Sequence, residues 1–148
     1  MRLTDYTDFS LRVLIRLALQ PQSLTTIAEI ARAYGISEHH LMKVVHELGV
    51  AGYVETVRGR GGGLRLACDP AAISIGAVVR RMEADFGLVS CFRGARKCPI
   101  EPVCVLATTL DEALAAFMAV LDRYTLADLV RKPRPIAGLL GLRRVDLR

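Results

Sequence analysis

Residues 27–48 read IAEIARAYGISEHHLMKVVHEL and residues 53–67 read YVETVRGRGGGLRLA; these two stretches decide the fold. In the first, Thr25 is placed to cap a short helix that runs through Tyr34 and turns Ile27, Ile30 and Ala31 inward. Gly35 supplies the turn at its end, because a left-handed residue there costs glycine nothing. Ser37 then caps a second helix with Leu41, Val44, Val45 and Leu48 on its inner face. Small Ala31 lets the two helices approach, and Leu41 plugs the core between them, which is the spacing of a helix-turn-helix. Helix pairs with a glycine between them are common, so this stretch alone leaves a plain helical hairpin open.

The second stretch narrows the choice. Residues 53–57 read as a strand, 58–63 as a glycine-rich turn and 64–67 as the returning strand, giving a helix-turn-helix with a two-stranded wing. Arg58, Arg60 and Arg65 make the hairpin basic and, in this reading, free of acid, which suits a phosphate backbone or a narrow minor groove. A solvated surface hairpin is the plain alternative. A nucleotide-phosphate loop is disfavoured, since neither a lysine-hydroxyl ending nor a helix start follows the glycines. For reading bases the start of the second helix is the natural place, with Ser37, His39, His40 and Lys43 as candidates, and Arg58 and Arg60 as wing contacts.

Towards the N-terminus, residues 4–19 form a helix with Phe9, Val13, Leu14 and Leu17 on one face and Leu11, Ile15 and Leu19 on another, ended by Pro21. A helix apolar on two sides belongs between two packed neighbours. Asp5 and Asp8 precede the apolar run, and Arg12 and Arg16 interrupt it, so neither a signal peptide nor a membrane span fits; a cytoplasmic protein without membrane contact is expected. The chain has 148 residues, of which 52% are hydrophobic and 24% charged, with mean hydropathy +0.33. That is enough for one core and too little for a multidomain enzyme. The net charge of +5 says little about DNA, because residues 1–128 hold fourteen basic and fourteen acidic side chains and the excess lies beyond them.

Towards the C-terminus, Ser74 caps a short helix from Ile75 to Met82, and residues 84–103 have no helical period and several glycines and prolines, as a loop would. A long helix follows, with a stripe of Leu106, Leu110, Ala113, Phe117, Val120 and Tyr124 flanked by Leu114 and Leu121. In so small a chain this stripe needs a partner, and the simplest is its own copy across a two-fold axis, although an internal core helix would show the same period. The stretch around Asp128 adds one short helical turn. The expected organisation is therefore a mainly α protein: a winged helix-turn-helix over residues 1–83, a cysteine loop over 84–104, a dimerisation helix and short terminal helix over 105–132, and a flexible basic tail over 133–148.

Four cysteines in a cytosolic chain point to metal or redox chemistry. Cys91, Cys98 and Cys104 share the loop, beside Arg93, Arg96 and Lys97, whose charges favour the thiolate form. Cys68 stands apart and reads as a small buried apolar residue. Structural zinc prefers four ligands in two close pairs. A wide loop of three thiolates suits the larger iron-sulfur cluster better, while zinc and plain or disulfide-forming thiols stay open. The fourth ligand is missing locally.

Taken together, MRLTDYTDFSLRVLIRLA at 1–18, the helix-turn-helix, the wing, the three-cysteine loop and DEALAAFMAVLDRYTLADLV at 111–130 resemble the Rrf family of winged-helix iron-sulfur regulators, over residues 1–132. Within that family the similarity is greatest to the nitric-oxide-sensitive repressors. The resemblance implies a homodimer on palindromic operator DNA, with an iron-sulfur cluster, 4Fe-4S or else 2Fe-2S, on Cys91, Cys98 and Cys104. In such repressors an aspartate near the N-terminus of the other subunit is the fourth ligand, and the matching residue is Asp8. Without the resemblance, Asp8 reads as a first-turn residue favoured by the helix dipole. A hard carboxylate holds iron weakly beside soft thiolates, leaving that corner open to a diatomic ligand. Regulators of iron-sulfur biogenesis in the same family use a histidine three residues after the third cysteine; here that position is Ala107. The implied function is a non-enzymatic repressor that releases operator DNA when nitric oxide nitrosylates the cluster. Control of iron-sulfur biogenesis or redox stress, a zinc-stapled DNA-binding protein and a redox enzyme or electron carrier are the alternatives.

Overall fold

The computed structural model of the chain describes residues 2–93 and 98–142. Thr4 starts the first helix, α1 (Asp5–Ala18), by accepting the amide N–H of Thr7 on its side chain. Val13, Leu14 and Leu17 on α1 are buried, and Phe9, Leu11 and Ile15 pack around them partly buried. Neighbours therefore enclose the helix on both apolar sides, as the sequence pattern requires.

The helix-turn-helix comprises α2 (Ile27–Tyr34) and α3 (Glu38–Val50). Its cap is Thr26, one residue later than expected: the Thr26 hydroxyl accepts the Glu29 N–H, and the Glu29 carboxylate accepts the Thr26 N–H at 2.7 Å. The reciprocal pair needs an acid three residues past the cap, which Thr26 has and Thr25 lacks. Thr25 is instead buried and bridges to Leu64. Gly35 adopts φ 65°, the left-handed cap. Leu41, Val44, Val45 and Leu48 of α3 are all buried.

Strands β1 (Val54–Val57) and β2 (Gly63–Leu66) pair antiparallel, Val54 opposite Leu66 and Val57 opposite Gly63. The turn between them doubles back so closely that a Cβ at position 62 would stand 2.2 Å from the Val57 carbonyl oxygen. Leu64 and Thr25 exchange both backbone hydrogen bonds, at 2.8 and 3.0 Å, so the wing is tied to the chain entering α2. Cys68 is exposed, against expectation. By strand parity it would follow Leu64 and Leu66 inward, but the strand stops at Leu66 and the turn into Asp69 carries the thiol out.

Ser74 caps α4 (Ile75–Met82). The cysteine segment that follows contains two 3-10 turns, Ser90–Arg93 and Glu101–Val103, before α5 (Val105–Asp122) and α6 (Leu126–Leu129). The start of α4 is clamped to the end of α5. Ile75 donates its N–H to the Tyr124 carbonyl and Leu126 donates to that of Ile73, both at 2.9 Å, while both terminal nitrogens of Arg80 reach the Asp122 carboxylate at 2.6 Å. Met118 is buried, and Leu114, Phe117 and Leu121 pack against the core beside it. Leu106, Val120 and Tyr124, from the same expected stripe, stay 63, 43 and 46% exposed. The stripe is thus only partly used inside the chain.

The region expected to be a flexible tail is helical at its start. α7 (Pro133–Leu139) has Ala137 2% exposed. Proline at the first position of a helix loses no hydrogen bond, so Pro133 begins the helix instead of preventing it. The rest of that region, 143–148, lies outside the described residues. No helix among the described residues is long and apolar enough to cross a membrane.

Candidate nucleic-acid interface and cysteine segment

Ser37, His39, His40 and Lys43 all lie exposed on one end of α3, above the buried Leu41, Val44 and Val45. Ser37 takes the N-cap conformation, but its hydroxyl makes no capping hydrogen bond. Two of the four positions are held from α1. The Tyr6 hydroxyl donates to the Lys43 carbonyl at 3.2 Å, and the Phe9 ring stacks on His40 with centroids 6.4 Å apart and planes 28° from parallel. Burial, with the Glu47 charge adding to it, pushes the Tyr6 phenol above its ordinary range, so it remains the proton donor of that bond.

The wing is less basic than its arginine count suggested. Glu55 stands opposite Arg65 in the ladder, and its two oxygens take the Arg65 Nε and Nη2 at 3.0 and 3.1 Å. The expectation of an acid-free hairpin is corrected accordingly: Arg65 is neutralised within the sheet. Arg58 and Arg60, exposed in and beside the turn, have no ion-pair partner among the described residues.

Cys91 sits in the first 3-10 turn, Cys98 between the two turns, and Cys104 at the N-cap of α5. All three are free thiols and partly buried. Arg96 and Lys97 lie outside the described residues, as does the side chain of Arg93. Among the described residues no three His, Cys, Asp or Glu side chains stand close enough together to hold a metal ion. Ligand loops are commonly organised by the metal itself. The donor chemistry fits an iron-sulfur cluster: three soft, partly buried thiols, unpaired by disulfides, on one continuous segment.

Asp8 occupies the first turn of α1, with its side chain 44% exposed. Its Oδ2 lies 2.8 Å from Arg12 Nη2, and the Arg12 guanidinium stands 5.7 Å over the Tyr34 ring. The start of α1 is also fastened to the end of α4. Glu83 Oε2 accepts the Thr4 N–H at 3.0 Å, the Thr4 hydroxyl at 3.1 Å and the fully buried Thr7 hydroxyl at 2.6 Å. Glu83 is where the chain leaves α4 for the cysteine segment. One helix therefore touches both candidate sites: Thr4 and Thr7 grip the entry of the cysteine segment, and Tyr6 and Phe9 grip the outer end of α3.

Sequence reasoning passed over Tyr6, Thr7, Arg12 and Glu83 as parts of this arrangement. Thr4 followed by Thr7 carries a capping signal, but nothing local marks a glutamate 79 residues from the one and 76 from the other as their acceptor.

The family pattern of Rrf2, described as an iron-dependent transcriptional regulator, matches residues 3–132. The HTH-type transcriptional regulator NsrR of Bacillus subtilis is 55% identical over 97% of this chain and 99% of its own length. That of Geobacillus kaustophilus is 53% identical, with coverage of 97% and 99%. Among solved structures, IscR of T. potens aligns with TM-score 0.72 at 26% identity over 88% of this chain and 87% of its own. CymR, the global cysteine regulator of B. subtilis, aligns with TM-score 0.68 at 27% identity, covering 88% and 97%. The family and both NsrR relatives are named as transcriptional regulators and not as enzymes, and the redox-enzyme alternative falls with that.

Proposed function

The chain belongs to the Rrf2 family of transcriptional regulators, and from that premise we propose that it is a cytoplasmic homodimeric repressor whose hold on operator DNA depends on an iron-sulfur cluster that senses nitric oxide. Cys91, Cys98 and Cys104 would hold the cluster, and Asp8 of a second copy would supply the fourth, weaker ligand. Three thiolates with one carboxylate fit 4Fe-4S, with 2Fe-2S the other form the same donors accept. The cluster, when bound, supplies an iron with one readily exchanged position, where nitric oxide can bind.

Everything else is done by the chain. The observation that carries the reading is the double attachment of α1, through Glu83 to the cysteine segment and through Tyr6 and Phe9 to α3. With Asp8 as a ligand, α1 would be fixed relative to the cysteine segment of the other subunit, and α3, through Tyr6 and Phe9, with it. Two recognition helices then keep the spacing that a palindromic operator demands. Arg12, 2.8 Å from the Asp8 carboxylate, would retain it whenever Asp8 is not a ligand, and the two α3 helices would then lack the inter-subunit tie that sets them to the half-sites. Moving the operator from nearly filled to nearly empty takes about 5 kcal/mol of difference between the two states. At the DNA, Ser37, His39, His40 and Lys43 read bases, and Arg58 and Arg60 hold the backbone.

The exposed apolar line of α5 supports the dimer. Leu106 and Val120 on the helix, Val105 at its first position, and Val103 and Tyr124 just before and after it are all large apolar residues left exposed, Val103 and Val105 at 79 and 76%. The test is an anaerobic purification followed by absorption spectroscopy, iron and zinc analysis, and gel-shift titration against operator DNA selected from random duplexes. Cys91→Ala, Cys98→Ala and Cys104→Ala should each remove the visible absorption, and Cys68→Ala should retain it. Asp8→Ala should keep a cluster with an altered spectrum, bind operator less tightly and lose a smaller fraction of its binding to nitric oxide. Stoichiometric zinc without visible absorption, or an Asp8→Ala protein with parental spectrum, affinity and response, would overturn the reading.

A further inference from the structure

The hairpin of residues 53–67 carries three arginines and one acid, Glu55. Register decides which arginine that acid meets. Glu55 stands opposite Arg65, one step along from the pair of Thr56 and Leu64. Val54 and Leu64 are buried, so strand alternation turns their neighbours Glu55 and Arg65 to the outer face of the wing. Both side chains are about half exposed there, and they meet side-on, through Nε and Nη2 of the guanidinium and both oxygens of the carboxylate. That contact occupies the fork with which an arginine grips a phosphate. Hydrogen bonds from Arg65 keep the Glu55 carboxyl below its ordinary range and hence ionised at neutral pH, so the pair carries no net charge.

The pair lies close to the contacts the wing offers DNA. Val57 and Gly63 end the ladder, and Glu55 and Arg65 stand two residues further back, about 7 Å along the strand. Arg58 follows Val57 directly. A charge at that separation acts within one Debye length, about 8 Å at physiological salt, so a backbone held by Arg58 and Arg60 is also within reach of Arg65. The hydrogen bonds exchanged between Leu64 and Thr25 fix the strand that carries Arg65, and only its side chain has to leave Glu55 to meet a phosphate. An exposed ion pair contributes little to stability, so joining the strands is a weak reason for an acid in a basic hairpin.

We infer that Glu55 is a positioning residue that holds Arg65 off the DNA backbone, limiting the wing to the phosphate contacts of Arg58 and Arg60 and keeping sequence-independent affinity low. Phosphate contacts strengthen binding to every sequence and add no discrimination. A third free arginine would tighten the hold on non-operator DNA without improving the choice of operator. The inference rests on the reading of Arg58 and Arg60 as backbone contacts and is independent of the cluster.

The test is binding of the full chain to a random-sequence duplex, followed by fluorescence anisotropy between about 50 and 200 mM salt. Glu55→Gln should steepen the slope of log affinity against log salt by about one unit, so that its affinity falls about 3.5-fold more than the parent's over that range. Arg65→Ala alone should leave the parental slope nearly unchanged, and adding it to Glu55→Gln should cancel the steepening. A Glu55→Gln protein with the parental slope would overturn the inference, and a lowered unfolding midpoint in that protein would identify the pair as a clasp between strands. Steepening that survives the loss of Arg65 would overturn it as well, since Glu55 would then act by its own charge. Arg60→Ala is the control for the underlying reading. If it lowers the parental slope while Glu55→Gln changes nothing, this inference alone falls; if neither variant changes the slope, the wing does not touch the backbone and both fall.

Discussion

Replacing Glu83 by alanine tests the attachment on which the proposed coupling rests. Glu83 Oε2 accepts three hydrogen bonds, but their loss has unequal consequences. The Thr4 amide and hydroxyl lie at an exposed helix start and exchange the carboxylate for water. Thr7 is 0% exposed and cannot; it would keep only the Thr4 hydroxyl, at 3.2 Å. A charge-assisted bond to a buried hydroxyl contributes about 1.5–3 kcal/mol, so the expected destabilisation of Glu83→Ala is about 2–3 kcal/mol, a fall of roughly 5–10 °C in the unfolding midpoint. Urea unfolding should show the midpoint lowered with an unchanged slope. Glu83→Gln keeps an acceptor oxygen and should lose less. Thr7→Val removes the buried hydroxyl instead of its partner, and the double mutant should show a coupling of about 1 kcal/mol or more. A Glu83→Ala protein within about 0.5 kcal/mol of the parent, or a cycle without coupling, would mean that α1 and the cysteine segment are not joined there.

Gly76→Ala sets two effects against each other: alanine gains about 1 kcal/mol of helix propensity, but its Cβ would fall 2.0 Å from Asp122 Oδ1, which Arg80 holds in place. Overpacking of about 1–3 kcal/mol should win, and adding Asp122→Ala should recover most of the loss in thermal unfolding. Arg60→Ala should lower the salt slope of operator binding by about one unit, and Arg65→Ala, already neutralised by Glu55, by clearly less; equal effects would refute the pairing. The Thr26 N–H bond, chiefly, holds the Glu29 carboxyl below its ordinary value of 4.5. Its folded pKa being lower than its unfolded one, its contribution is complete above the unfolded value and disappears as pH falls through the folded one, so parent and Glu29→Gln should converge in stability towards acid.

The local elements were legible in the sequence because local rules produce them. Apolar spacing in α1 and α3, the turn glycine at 35, the wing's glycine run and the Ser74 cap each act within a few residues. Position alone points to Thr25 as the cap, while the glutamate three residues beyond Thr26 moves it to Thr26. Arg65 illustrates a second limit. Composition counts it with Arg58 and Arg60, but cross-strand register places it against Glu55, and register is a property of the pair. The tie from Glu83 to Thr4 and Thr7, the stack of Phe9 on His40 and the burial of Arg16 all depend on tertiary placement, which no spacing rule within one helix contains. Cys68 shows parity failing where a strand ends.

The uneven packing of α5 has a kinetic consequence. Its second half, from Leu114 to Asp122, is held by the core and by Arg80, while the turns from Val105 to Ala113 project with mostly exposed side chains. A helical stretch of that length does not persist in water on its own backbone bonds. In an isolated protomer its amide hydrogens should exchange through local fraying, minutes or more ahead of those a few residues further along the same helix. Protection of the early turns would then rise with protein concentration, making these nine residues a direct reporter of association inside a single secondary-structure element.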